Sequence, residues 1–175
     1  MPPKVWYAMS APYHRELLAR DWFTERGVET FVPMQYSIIT NRDGSKVRKL
    51  VPVIHNLLFV HTTQQTMREL KPQLPIVQYL TRPVNGHNEP IIVPDVQMEQ
   101  FIRVSDSHDD KLSYFLPDEL NLSRGTAVRI IGGPFDGVEG IFIKVQGVRN
   151  RRVVVQLPSL LSVVAEVHPD LIQKL

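Results

Sequence analysis

The sequence predicts an α+β chain: a mixed sheet backed by helices in the first 105 residues, then a small all-β barrel. Two observations carry this expectation. Strand-like apolar runs alternate with segments of helical spacing up to about residue 105, whereas from Leu120 onward glycine becomes frequent and helical spacing disappears. Of the 175 residues, 43% are hydrophobic and 22% charged, enough apolar material to bury a core. No apolar run approaches the roughly 18 residues of a membrane span. Met1-Pro2-Pro3-Lys4-Val5 has no apolar segment behind its lysine, so a secretory leader is not expected. Cysteine is absent, which removes disulfides, thiol nucleophiles and thiolate metal sites together. A cytoplasmic protein away from membranes is expected.

Val5-Trp6-Tyr7-Ala8-Met9 is a short apolar, aromatic run that reads as a buried strand ending at Ser10-Ala11-Pro12. From Tyr13 the period changes. Tyr13, Leu17, Leu18 and Trp22 recur at helical spacing with Arg15, Glu16, Arg20, Asp21 and Glu25 opposite, and Gly27 after Arg26 supplies a stop. Thr30 to Thr40 is rich in β-branched and aromatic residues and broken once, by Pro33, which suits an edge or bulge. Asn41-Arg42-Asp43-Gly44-Ser45 then offers a turn back through Lys46 to Val53, giving a partly basic hairpin. Leu57-Leu58-Phe59-Val60 reads as a strand covered on both faces. Thr62 or Thr63 caps a second helix from about Gln64 to Leu70. Ile76–Leu80 and Ile91–Val93 read as further strands, and Pro94-Asp95 opens a third helix with Val96, Met98, Phe101, Ile102 and Val104 as apolar positions.

Charge divides the chain. Residues 1–105 carry 12 Lys/Arg against 9 Asp/Glu, residues 106–123 carry 1 against 5, and residues 124–175 carry 7 against 4. The polar, acidic middle behaves as a solvated connector. The expected organisation is therefore one module at 1–105, a linker at 106–119 and a second module at 120–175.

In the second module Ala127–Ile131, Ile141–Val145, Val153–Leu157 and Leu161–Val167 read as strands, the first two joined by Gly132-Gly133-Pro134-Phe135-Asp136-Gly137-Val138-Glu139-Gly140. A phosphate-binding loop is not expected at these glycines. No Gly-Lys-Ser/Thr is present, and a strand follows instead of a helix N-terminus. Histidines at 14, 55, 61, 87, 108 and 168 form no His-x-His or His-Glu-x-x-His motif, and no serine sits in a glycine elbow. Neither catalysis nor a metal or other cofactor is expected.

The stretch from Arg124-Gly125-Thr126 through Gly132-Gly133-Pro134-Phe135 to Gly140-Ile141 resembles a KOW motif. The preceding block resembles the NGN domain of NusG-type transcription elongation factors, with Trp6-Tyr7 in the first strand, an amphipathic helix, Val32-Pro33 at the second strand and an apolar strand ending Phe59-Val60. Together the two resemblances span nearly the whole chain. One departure stands out: Ile54-His55-Asn56-Leu57 occupies the place of the common Phe-Pro-Gly-Tyr. This makes the chain similar to the specialised paralogues, such as RfaH and the antiterminators of surface-polysaccharide operons, more than to a general NusG.

The resemblance implies that an apolar depression at Trp6, Ile54, Leu57 and Phe59 grips the clamp of RNA polymerase. The same residues would equally serve as core filler, Phe59 above all, by its place in the strand alternation. It implies further that Tyr13, His14 and Arg15, where the first helix begins, approach the non-template DNA strand, a trio that supplies charge and stacking. Arg42, Lys46, Arg48 and Lys49 would track phosphates, or merely protect an edge from aggregation. Phe135 is the implied contact to a ribosomal protein or termination factor, with packing onto the barrel as its other reading. The rival function is an RNA-binding or ribosome-associated KOW protein using Arg149 to Arg152 as its footprint.

Overall fold

The apolar runs of the first block pair into a sheet with two interior strands, at residues 4–10 and 57–63. The computed structural model describes residues 2–144 and 151–175. It falls into two units: the residues up to Ser37 with Lys49–Asp95, and Ile38–Arg48 with Val96–Leu175.

In chain order the elements are β1 (Lys4–Ser10), α1 (Glu16–Glu25), β2 (Glu29–Phe31), β3 (Met34–Thr40), β4 (Lys46–Pro52), β5 (Leu57–Thr63) and α2 (Gln64–Leu70). They continue with β6 (Gln78–Tyr79), β7 (Thr81–Val84), β8 (His87–Pro90), β9 (Ile92–Val93) and α3 (Asp95–Ser105). The first sheet runs β2-β5-β1-β6, with β9 also paired to β1. The expected α+β class is the one adopted. All the pairings recorded in this sheet are antiparallel, however, where a mixed sheet was expected.

Cross-strand partners share a face, so the register sorts the core. Tyr7↔Val60 and Met9↔Leu58 lie on one face, packed with Ala19 and Phe23 of α1 and Met67 of α2. Trp6↔His61, Ala8↔Phe59 and Ser10↔Leu57 lie on the other. This two-sided burial explains the unbroken apolar run of β5. The amphipathic reading of the first helix needs correction, because α1 begins only at Glu16, leaving Tyr13 86% exposed outside it. Its buried positions are Glu16, Ala19 and Phe23, spaced three and four apart, and Leu18 faces solvent. Gly27, at φ 74°, ends the helix, and the Val28 N–H reaches back to the Phe23 carbonyl. Thr63 caps α2 by accepting the Thr66 N–H at 3.1 Å. Pro33 does more than disturb a strand: it separates β2, in the first sheet, from β3, which among the described residues pairs with β4 alone.

The second unit is built on β10 (Ser113–Phe115), β11 (Thr126–Ile130), β12 (Glu139–Ile143), β13 (Arg151–Leu157), β14 (Leu161–Val167) and β15 (Ile172–Lys174), ordered β10-β14-β13-β12-β11-β15. Val128, Ile130, Val153, Leu157, Leu161 and Val163 are among its buried residues. β10 lies within the acidic stretch, and its Tyr114 hydroxyl is 2.8 Å from that of Ser105 in α3. Burial pushes the Tyr114 phenol up in pKa, with the Ser105 hydrogen bond acting in the opposite direction. Val145, Arg149 and Asn150, which belong to the predicted second strand of this module and to the basic footprint, lie outside the described residues.

Candidate functional site

Two loops meet where α1 begins. The first, residues 11–15, leaves β1; the second, residues 53–56, leads into β5. The Glu16 side chain, 2% exposed, joins them. Its Oε2 accepts the Asn56 N–H at 2.9 Å, and its Oε1 stands 3.3 Å from His55 Nδ1. Asn56 returns the link twice: its Oδ1 accepts the His14 N–H at 2.9 Å, and its carbonyl accepts the Ala11 N–H at 2.8 Å. A buried carboxylate is costly unless hydrogen-bonded, so these bonds and the loop geometry specify each other.

Three non-glycine residues here hold left-handed backbone: Tyr13 at φ 61°, His14 at 55° and Asn56 at 75°. Each such residue stores on the order of 1–3 kcal/mol of strain. The conformation aims side chains outward. The His14 and His55 rings stack at 3.7 Å and 9°, and the Arg15 guanidinium lies 5.9 Å from the Tyr13 ring centre. An open phenol ring, a stacked imidazole pair and a guanidinium make a surface that can stack bases and neutralise phosphates. The predicted trio Tyr13, His14 and Arg15 is thus brought together.

The predicted apolar group is placed differently. Trp6, Leu57 and Phe59 share the second face of the sheet but are 4%, 7% and 0% exposed, while Ile54, in the loop before β5, is partly buried. Trp6 stacks on His61 at 4.5 Å and 11°. His61 Nδ1 lies 2.8 Å from a Glu29 carboxylate oxygen.

In the second unit Phe135 is 8% exposed, folded back from the turn between β11 and β12. Arg42, Lys46, Arg48 and Lys49 are exposed along the β3–β4 ribbon, and Arg48 Nη2 pairs with Asp110 at 2.7 Å. Arg151 lies 5.8 Å from the Phe142 ring centre.

Sequence reasoning missed Glu16, His55, Asn56 and His61 as site residues. Asn56 carried a usable signal, since asparagine tolerates left-handed backbone and stands at the mouth of a strand. Glu16 carried none, because a glutamate in a first helical turn reads as a solvated partner of the helix dipole.

The family model described as transcription termination factor NusG matches residues 4–102, more than half the chain. The chain belongs to the NusG family. Among solved structures, Thermotoga maritima NusG, solved for its domain interaction, is similar at 18% identity and TM-score 0.48, over 98% of this chain and 97% of that one. A chain of the MjSpt4:Spt5 complex in conformation B is similar at 16% identity and TM-score 0.30, over 97% of this chain and 96% of its own. No curated protein sequence matches. In this NusG-family chain the helix-entry corner is fastened through His55 and Asn56, both held by the Glu16 carboxylate. Among the described residues no helix is long and apolar enough to cross a membrane.

Proposed function

We propose that this NusG-family chain is a specialised elongation factor of the cytoplasm. In this reading the module at residues 1–105 binds the RNA polymerase clamp and promotes processive elongation or antitermination of a particular operon, such as one for surface-polysaccharide synthesis. The module at 120–175, joined through 106–119, meets a ribosomal protein or termination factor at the turn that carries Phe135. The observation that carries the reading is the strained corner at α1. It holds Tyr13, His14 and Arg15 together at the surface, chemistry suited to an exposed non-template DNA strand.

The clamp contact is assigned to Trp6, Ile54, Leu57 and Phe59. Three of these are buried, so the contact requires that face to be uncovered, after which its aromatic and aliphatic side chains offer a dry anchor. Charging Trp6 or Leu57 would test folding as much as binding. Ile54, being only partly buried, is the cleaner position.

The test is retention of polymerase by the tagged chain, with crosslinking to the non-template strand. Ile54→Asp is expected to lower retention about tenfold, the scale of one interface anchor. Tyr13→Ala with Arg15→Glu is expected to preserve retention and lose the DNA crosslink. Full retention by a folded Ile54→Asp variant would remove the clamp assignment. Co-purification of ribosomal RNA alone would favour the RNA-binding alternative.

A further inference from the structure

Among the described residues, the first sheet has an edge that no further strand completes. β6 and β9 follow one another along the same side of β1, with pairs Met9↔Tyr79, Ser10↔Gln78, Trp6↔Val93 and Tyr7↔Ile92. The Ile91 N–H donates to the Leu80 carbonyl at 2.8 Å and joins them into one interrupted strand. Among the described residues no further strand pairs with their outer side. An edge of this kind accepts an added extended chain through its backbone groups.

Beside that edge lies a cleft of about 610 Å³, its wall supplied by α2 and the turn after it. Arg68 and Lys71 line it, and no aspartate or glutamate does. The Lys71 ammonium stands 5.2 Å from the Tyr79 ring centre, and Pro72, Pro90 and Ile92 add rigid apolar surface. Burial pushes the Tyr7 and Tyr79 phenols up in pKa while Arg68 pulls the other way, so both stay protonated donors. The cleft therefore offers cations and hydroxyl donors without a competing carboxylate, next to an open strand edge.

We propose that this cleft docks an acidic, extended peptide segment of a partner protein, lying along β6 and β9 with its carboxylates on Arg68 and Lys71. Nucleic acid fits less well. Tyr7 is 5% exposed, and the Tyr79 ring has Tyr7 at 5.6 Å and Lys71 as neighbours, so no free aromatic face remains for a base. A peptide uses both the charge and the edge.

The test uses the full chain with no polymerase or DNA present, so its failure leaves the preceding reading untouched. A ten-residue peptide alternating glutamate with valine or threonine is titrated into isotope-labelled protein and followed by NMR. The same peptide with lysine for glutamate and a ten-nucleotide oligo-dT serve as comparators. Saturable shifts are expected at Arg68, Lys71, Gln78, Tyr79 and Ile92 with the acidic peptide alone. R68E with K71E is expected to weaken binding by about tenfold or more, because charge complementarity is inverted. R68Q with K71Q, which keeps side-chain bulk, is expected to give a smaller loss with an unchanged circular dichroism spectrum. No saturation at millimolar peptide, indifference to charge reversal, or tighter binding of oligo-dT at these residues would each overturn the proposal.

Discussion

Two corners of this chain reach left-handed backbone by different means. Between β11 and β12 the positions are Gly132, Gly133 and Gly137, at φ 83°, 73° and 85°, and Asp136 Oδ1 accepts the Gly132 N–H at 2.6 Å. At the entry to α1 comparable angles are held by Tyr13, His14 and Asn56. Glycine adopts this conformation without steric cost, whereas other L-residues meet their own carbonyls. The first corner is shaped for a turn. The second keeps strain that glycine would relieve, and in return displays a phenol and two imidazoles. The contrast separates a corner that exposes side-chain chemistry from one that reverses the chain.

The largest perturbation of this comparison removes the support beneath the second corner. Phe23, fully buried, anchors α1 on the sheet, and Phe23→Ala is expected to cost about 3–5 kcal/mol in urea unfolding. Next comes the clasp itself. Glu16→Ala leaves the partly buried Asn56 N–H without its acceptor and is expected to cost about 1.5–3 kcal/mol. The His14–His55 stack should loosen in the same variant, seen in their imidazole NMR signals. Unchanged stability would show that the corner does not depend on the carboxylate.

The reciprocal pair sharpens the contrast further. Gly133→Ala is expected to destabilise by about 1–2 kcal/mol, since its φ of 73° penalises any Cβ even though space is available. Tyr13→Gly is expected to stabilise by up to about 1 kcal/mol while weakening the DNA crosslink. Equal signs for the two would end the distinction.

The smallest effect is at the hairpin turn, where the Ser45 hydroxyl and N–H donate to Asp43 and hold its carboxyl below the usual 3.8. Because the folded pKa is the lower one, this contribution is present above the unfolded value and fades as pH falls through the folded value. Amide shifts of Ser45 should follow that acid titration.

Much of the frame was legible from sequence. β5 showed as an unbroken apolar run, and α2 followed from a capping threonine, 62 or 63, before a helical segment, the structure selecting Thr63. The third helix was announced by Pro94-Asp95. What escaped was either short or non-local. β7, β8, β10 and β15 span three or four residues each, too few to display a period. The face of α1 was misassigned at Tyr13 and Leu18 because Tyr13 and His14 turn left-handed before the helix begins. The buried role of Glu16 depends on a residue 40 positions away, which no window along the chain can register.

That same separation bears on how such chains diversify. The fastening of Glu16 to Asn56 closes a loop that contains β2, β3 and β4. Each doubling of a flexible loop adds only about 0.6 kcal/mol to closure. The hairpin tip at Asn41–Ser45 should therefore accept inserted residues with little penalty while the corner keeps its geometry. Descendants of this chain would be free to remodel the ribbon for new contacts without losing the surface beside it.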